Sequence, residues 1–310
     1  MLTANKTGLL LALSLAHGFV MMAGDGAHPD RINAVIQAWE QGRPAIGRGV
    51  VDFSFDEAVR WSATNFDFLF CDMEHRPLDL NQMRVFLQAL LDRSQILQRG
   101  DHLIRPTPIL RIPAYGREMN HWLIKQALDL GVPGVIFPSV STAEQAEHIV
   151  AGSRYPQPIG APIPYPVGMR GVSPDMAVRY WGLSFMDYIG RADLYPLNPK
   201  GETLIILQIE EREGFKNLDD ILKVKGVGMV MIGPADLSFA LGHPGHPEDP
   251  EVEAAIQLIL AKSKAAGVKC GIVNPPPKVV ERAEQGFAWI STGNIDDATL
   301  QRARGVHLQR

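Results

Sequence analysis

Short apolar runs rich in Val, Ile, Leu and Met recur along this chain, and each is followed by a stretch with helical periodicity. Eight runs are predicted as strands, at 45–51, 66–73, 108–112, 134–140, 203–209, 227–232, 268–273 and 287–291. Helices are predicted between them at 55–63, 81–93, 119–128, 143–152, 216–223, 252–266, 276–285 and 298–305, with a lead-in helix over 32–41. The strand runs do not alternate cleanly between apolar and polar residues, which is the pattern of a parallel sheet covered on both faces. Eight strand–helix repeats favour an α/β fold of the (β/α)8 TIM-barrel type over an open doubly wound sheet. No G-x-G-x-x-G follows the first strand, which counts against a dinucleotide-binding fold. Residues 28–310 therefore read as a single barrel. One interval, about 153–200, breaks its rhythm: it is proline-rich and carries a helical pattern at 177–188. A connection of that length is expected to be a lid, a binding loop or an oligomer contact.

Composition narrows the function more than the fold. The 310 residues are 46% hydrophobic and 21% charged, with 30 basic against 34 acidic side chains well mixed along the chain. Without a basic stripe or a nucleic-acid-reading motif, nucleic acid is not an expected partner. Two cysteines, Cys71 and Cys270, lie inside strand runs and read as small buried hydrophobes rather than a disulfide framework. Residues 8–24 form an apolar stretch preceded by Lys6 and followed by small residues, so 1–27 resembles a signal peptide or unstructured leader. The alternative is an over-long gene start, with Met21 or Met22 as initiator. Export and a cytoplasmic location stay open, and the stretch is short for a membrane span of ~20 residues, so no membrane partner is expected for the mature chain.

In a (β/α)8 barrel the chemistry sits at the C-terminal ends of the strands. Here those ends read Asp72, Glu74 and His75, then Arg111, then Gln208 and Glu210, then Ala235 and Asp236. Alternation along a strand puts Gln208 and Glu210 on one face. Each residue taken alone has a purely structural alternative: a core histidine, a structural ion pair at Arg111, a solvated Glu210, an N-cap at Asp236. Together they point to a site, since ionisable groups clustered at the catalytic end are costly without a purpose. Carboxylates at the ends of strands ~4.8 Å apart repel unless a cation lies between them, and Mg²⁺ or Mn²⁺ prefers such oxygen donors. Asp129 stands out because it ends a helix, where the dipole disfavours an anion; such violations tend to mark functional positions.

Five motifs carry a family resemblance: Asp72-Met73-Glu74-His75, Arg111-Ile112-Pro113, Leu128-Asp129-Leu130-Gly131, Gln208-Ile209-Glu210 and Gly233-Pro234-Ala235-Asp236-Leu237-Ser238. In this order they resemble the HpcH/HpaI aldolase family, the class II pyruvate aldolases acting on 4-hydroxy-2-oxo acids. The resemblance implies a barrel of the phosphoenolpyruvate/pyruvate type, assembled as a homo-oligomer, commonly a hexamer. It implies a lyase that reversibly cleaves a 4-hydroxy-2-oxo acid to pyruvate and an aldehyde through the enolate of pyruvate. The cofactor implied is a divalent ion, Mg²⁺ or Mn²⁺ with Co²⁺ as a further choice, held by Glu210 and Asp236. Gln208 and the backbone of Ala235 and Asp236 would hold the pyruvyl group, with Asp72 also on the substrate side. Arg111 would stabilise the enolate, His75 would act as general base, and Asp129 would raise its basicity. Arg170 in Gly168-Met169-Arg170-Gly171 would reach the aldehyde end of the substrate. The chain departs from the family at Arg76, at Arg48 and Phe53, and in the inserted segment 157–166. Oxaloacetate decarboxylation on the same site is a near alternative. A CoA-thioester lyase fits the motifs less well. A non-catalytic keto-acid binder and a scaffold subunit are readings from other classes.

Overall fold

A computed structural model describes residues 30–113 and 118–308; the leader-like segment 1–27 lies outside them. Eight parallel strands close into a barrel in sequence order: β1 Ala45–Val50, β2 Phe68–Asp72, β3 Thr107–Arg111, β4 Gly134–Phe137, β5 Leu204–Ile209, β6 Met229–Ile232, β7 Lys269–Val273 and β8 Trp289–Thr292. The expected strand at 134–140 ends early, because Pro138 follows Phe137 and Ser139 adopts a positive φ of 58°. The helix expected at 216–223 is two short ones, Arg212–Lys216 and Leu218–Ile221, broken at Asn217. The Asn217 backbone amide closes the first of them on the Glu213 carbonyl (2.9 Å), and its side-chain amide donates to the Ser141 carbonyl (2.9 Å). Among the described residues no helix is long and apolar enough to cross a membrane.

Strand alternation divides the apolar side chains into two cores. Phe68, Phe70, Ile109, Ile136, Leu204, Ile206, Met229, Met231 and Trp289 fill the barrel interior. Leu69, Cys71, Leu110, Ile205, Leu207, Val230 and Ile232, one residue out of phase, pack outward against the helices. Gly47 points into the interior, where a Cβ would collide with the Phe68 ring. The space it leaves lets Phe68 stack on Trp289 (4.2 Å, 14°). Arg48 takes the outward phase and lies over the Trp61 ring (4.8 Å), away from the interior.

The N-terminal ends of the strands form a sealed floor. The lead-in helix Ala34–Glu40 plugs it, with Val35, Ile36 and Trp39 joining the interior core. Buried Glu202, just ahead of β5, accepts the backbone amides of Ile32 (3.2 Å) and Asn33 (3.0 Å), which pins the helix there. Asp67, fully buried ahead of β2, gathers the Ile46 amide (3.0 Å) and both Arg43 (3.0 and 3.1 Å) and Arg304 (3.2 and 2.8 Å). This node ties the last helix, Asp297–Arg304, to the seam between β1 and β2. Removing one side of a buried ion pair strands the other, at about 3–5 kcal/mol. Asp67→Ala is therefore expected to lower the unfolding free energy from urea titration by that amount, and an unchanged free energy would remove the node from the account of closure.

Of the three roles expected for the long interval (lid, binding loop or oligomer contact), its position does not suit a lid over the mouth. It leaves the C-terminal end of helix Ala143–Ser153 and returns to the N-terminal end of β5, so it spans the floor side, opposite the mouth. Its helical part is two helices, Asp175–Trp181 and Phe185–Arg191, separated at Gly182 in a left-handed conformation (φ 68°). Arg154, with a fully buried side chain, grips Asp193 (2.7 and 3.0 Å) and the carbonyls of Ile163 (2.6 Å) and Pro166 (2.7 Å). The inserted 157–166 is thereby bound to the floor and covers no part of the mouth.

Candidate active site

The interior phase of each strand continues past its last apolar layer into polar residues. On β2 the series Phe68, Phe70 leads to Asp72 and Glu74; on β3 Ile109 leads to Arg111; on β5 Leu204 and Ile206 lead to Gln208 and Glu210. The register sets Asp72 beside Arg111. The parity that builds the core thus aims these groups at one point above it.

Arg111 organises one wall. Its Nε donates to Asp72 Oδ1 and its Nη2 meets Asp72 Oδ2, both at 2.9 Å, and its Nη1 lies 2.8 Å from Glu74 Oε2. Nη1 also reaches Gln208 Oε1 (3.4 Å), and the guanidinium sits over the Phe70 ring (4.9 Å). Burial opposes ionisation of Asp72, but the hydrogen bonds and charge of Arg111 outweigh it and hold the carboxyl below the usual carboxylate range. Asp72 Oδ1 also accepts the Glu74 and His75 amides (3.0 and 3.5 Å), which turns the chain so that His75 stands at the rim. His75 is 61% exposed at its side chain, with Nε2 3.6 Å from Glu74 Oε2.

The opposite wall is acidic. Glu210 is buried, accepting the Ser139 amide (3.0 Å) on Oε1 and the Gln208 side-chain amide on Oε2. Burial pushes its carboxyl up to about 8; Glu74 and Asp236 add to the push, while Gln208 and the Ser139 amide oppose it. Glu74 is also raised, by burial first and then by Asp72 and Asp236, against Arg111 and His75. Asp236 lies in the first turn of helix Pro234–Leu241, whose N-cap is Gly233, so it is not the capping residue. A Cβ on Gly233 would come within 2.7 Å of Glu210 Oε2 and 3.0 Å of the Gln208 amide nitrogen, so the glycine keeps the space before them open. Hard oxygen donors, a buried acid driven towards protonation by its neighbours, and that open space fit a divalent cation at Glu210 and Asp236. A tighter carboxylate–histidine cluster, His243, Asp249 and Glu251, has both imidazole nitrogens already occupied by the two acids (3.2 and 2.8 Å).

Two adjoining cavities result. One of about 490 Å³ is walled by Phe70, His75, Arg111, Gln208, Ala235 and Asp236 and runs on towards Lys278. The other, about 460 Å³, is bounded by Glu74, Ser139, Glu210, Glu211 and Glu213 and shares His75 and Asp236 with the first. The structure therefore brings Asp72, His75, Arg111, Gln208, Glu210, Ala235 and Asp236 to one mouth. It does not bring Asp129 or Arg170 there.

Asp129 ends helix His121–Asp129, which runs antiparallel to the strands and finishes on the floor side ahead of β4. There it accepts from Arg170 (2.9 Å), whose buried guanidinium also donates to the Tyr188 hydroxyl (2.9 Å) and covers the Tyr155 ring (4.3 Å). Burial raises the Asp129 pKa, and Arg170 pulls it back. Within this chain Asp129 and Arg170 pair with each other, apart from His75 and the mouth. The signal was in the chain order: a residue closing a helix before a strand falls at the end opposite the strand tips. The motifs also left Glu74, the Ser139 amide and the 274–282 wall without a role. Strand parity could have found Glu74; nothing local announces the other two.

A closed barrel with its polar groups converging on the strand tips defines a (β/α)8-barrel enzyme with its site at the mouth. The chain belongs to the HpcH/HpaI aldolase/citrate lyase family, which it matches over residues 57–297. A hydroxypyruvate/pyruvate aldolase of Pseudomonas aeruginosa is 36% identical over 239 residues, 77% of each chain. A 4-hydroxy-2-oxo-heptane-1,7-dioate aldolase of Shigella sonnei is 32% identical over 272 residues, 87% of this chain and 92% of that one. A solved HpcH/HpaI aldolase/citrate lyase family protein from Burkholderia cenocepacia has a TM-score of 0.67 at 29% identity, covering 87% of this chain and 95% of its own. Macrophomate synthase, at 24% identity and a TM-score of 0.61, shares the fold. The protein is accordingly an aldolase-class lyase acting on small molecules.

Proposed function

We propose that the mouth cleaves a 4-hydroxy-2-oxo acid to pyruvate and an aldehyde, reversibly and with a divalent cation at Glu210 and Asp236. The observation that carries this is a pair of adjoining cavities that share His75 and Asp236, one walled by the fixed guanidinium of Arg111 and the other by the buried carboxyl of Glu210. When bound, Mg²⁺ or Mn²⁺ supplies Lewis acidity towards the 2-oxo group. The first-turn amides of Ala235 and Asp236 have no acceptor within their helix and suit the substrate carboxylate. Gln208 orients the pyruvyl group beside them. His75 takes the proton of the 4-hydroxyl; the electrons of that O–H bond form the aldehyde carbonyl as the C3–C4 bond breaks. The C3–C4 pair passes to the C2 oxygen as the enolate of pyruvate, beside the preorganised charge of Arg111. Protonation at C3 then completes pyruvate.

The names of the two relatives motivate the substrates to try: 4-hydroxy-2-oxo-heptane-1,7-dioate and the aldol products of hydroxypyruvate or pyruvate. Pyruvate release is read by coupling to lactate dehydrogenase with Mg²⁺ or Mn²⁺, with EDTA, and on His75→Ala. The expected result is metal-dependent cleavage that EDTA abolishes and His75→Ala lowers by about 10²–10⁴-fold. Pyruvate from oxaloacetate alone would replace this reading with decarboxylation.

A further inference from the structure

The carboxylate that ties the last helix to the floor is outnumbered. Asp67 already accepts from the Ile46 amide, from two nitrogens of Arg43 and from two of Arg304. An ionised carboxyl offers about four lone-pair sites, so Asp67 is saturated. Arg105, just ahead of β3, is a third guanidinium beside it, and its nearest nitrogen stays at 3.7 Å, beyond hydrogen-bond reach. It turns instead to the Asn65 carbonyl (3.0 Å), to which Arg304 also donates. Two like charges are thus held on one oxygen. Arg105 Nε and Nη1 and Arg304 Nη1 make no hydrogen bond among the described residues. A fourth guanidinium, Arg99, is already held by Asp101 (3.1 Å) and the Leu103 carbonyl (2.7 Å). Burial first, and then the charges of Arg304, Arg43 and Arg99, hold Arg105 below the usual guanidinium range, against the pull of Asp67. Three guanidiniums around one carboxylate leave an excess of two positive charges on the floor.

We propose that Arg105 and Arg304 form an anion site on the floor of the barrel, and that it takes a phosphate group, free or as a monoester. The dianion matches the excess charge, and its tetrahedral oxygens can accept from two guanidinium forks at once. Arg105 is 33% exposed at its side chain, enough to admit an ion from solvent while its inner nitrogen stays on Asn65. A bound anion removes the repulsion between three segments distant in the chain: the entry to β1, the entry to β3 and the last helix. Binding therefore stabilises the closure of the barrel and leaves the mouth, at its opposite end, untouched. The site is independent of the cleavage reaction.

The test replaces chloride by inorganic phosphate at constant ionic strength in wild type, Arg105→Ala and Arg105→Lys. Phosphate at about 10 mM is expected to raise the wild-type Tm by about 2–4 °C. Arg105→Ala should melt no lower than wild type in chloride, because the charge removed was repelled by its neighbours, and should lose the phosphate shift. By calorimetry its Kd for phosphate should rise about 10- to 100-fold. Arg105→Lys keeps the charge without the fork and should fall between the two. An equal phosphate shift in all three proteins, no shift in wild type, or an Arg105→Ala protein that melts lower in chloride overturns the site. Glycerol 3-phosphate, titrated beside the free ion, separates the two sources. Tighter binding of the ester marks a phosphorylated ligand and tighter binding of phosphate the free ion, and either result supports the site.

Discussion

Arg111→Ala is expected to cost about 10²–10³-fold in kcat/KM for pyruvate release and about 3–5 kcal/mol in stability. Both losses have one source. The guanidinium is nearly buried and holds Asp72 by two contacts of 2.9 Å and Glu74 at 2.8 Å. Without it, Asp72 and Glu74 lose the guanidinium that holds them, and the developing enolate has lost its preorganised partner. Arg111→Lys keeps a charge but cannot reproduce the fork on Asp72, so it should recover stability better than turnover. The measurements are the lactate dehydrogenase-coupled rate and the urea midpoint. Full turnover in Arg111→Ala, with a lowered midpoint, would reduce Arg111 to a structural ion-pair partner.

The second large effect concerns pH and the metal-free protein. The Glu210 carboxyl is ordinarily near 4.5 and is pushed up to about 8 in the fold. An acid with a raised folded pKa favours the folded state when protonated. That contribution is fully present below about pH 4.5 and is lost as pH rises through about 8. With EDTA, the melting temperature should fall across that window, as the fold loses stability on the order of 5 kcal/mol at most. In Glu210→Gln, which is neutral at every pH, the fall should be missing, so the variant should be the more stable of the two near pH 9. Adding Mg²⁺ or Mn²⁺ should flatten the wild-type profile, since a cation favours the ionised form, and should leave the variant unmoved. Parallel profiles for wild type and variant would show that Glu210 is not the titrating group.

How much of this was readable beforehand differs from residue to residue. Asp72, Arg111, Gln208 and Glu210 were legible because period-two alternation is a local property. A residue in phase with Phe70, Ile109 or Ile206 must face the interior wherever the strand lies. Asp236 was legible through its short distance from the end of β6. Glu74 was in phase as well, yet its meaning depends on Arg111 and Asp236 approaching from other strands. Asp129 and Arg170 lie apart from the other motif residues within this chain, because a motif records which residues occur together and not which end of the barrel they occupy. Both sit on connections that return to the floor, where they hold each other and the 154–203 segment.

Taken by itself, the chain determined the eightfold strand–helix repeat, the phase of each strand and the set of polar residues at the strand tips, because hydrophobic period and motif order are written residue by residue. Only the tertiary structure decided that the long interval lies against the floor and that Ser139 turns its amide onto Glu210. Those facts depend on contacts between segments far apart in the chain, and no local pattern specifies which distant side chains have already taken one another's hydrogen bonds.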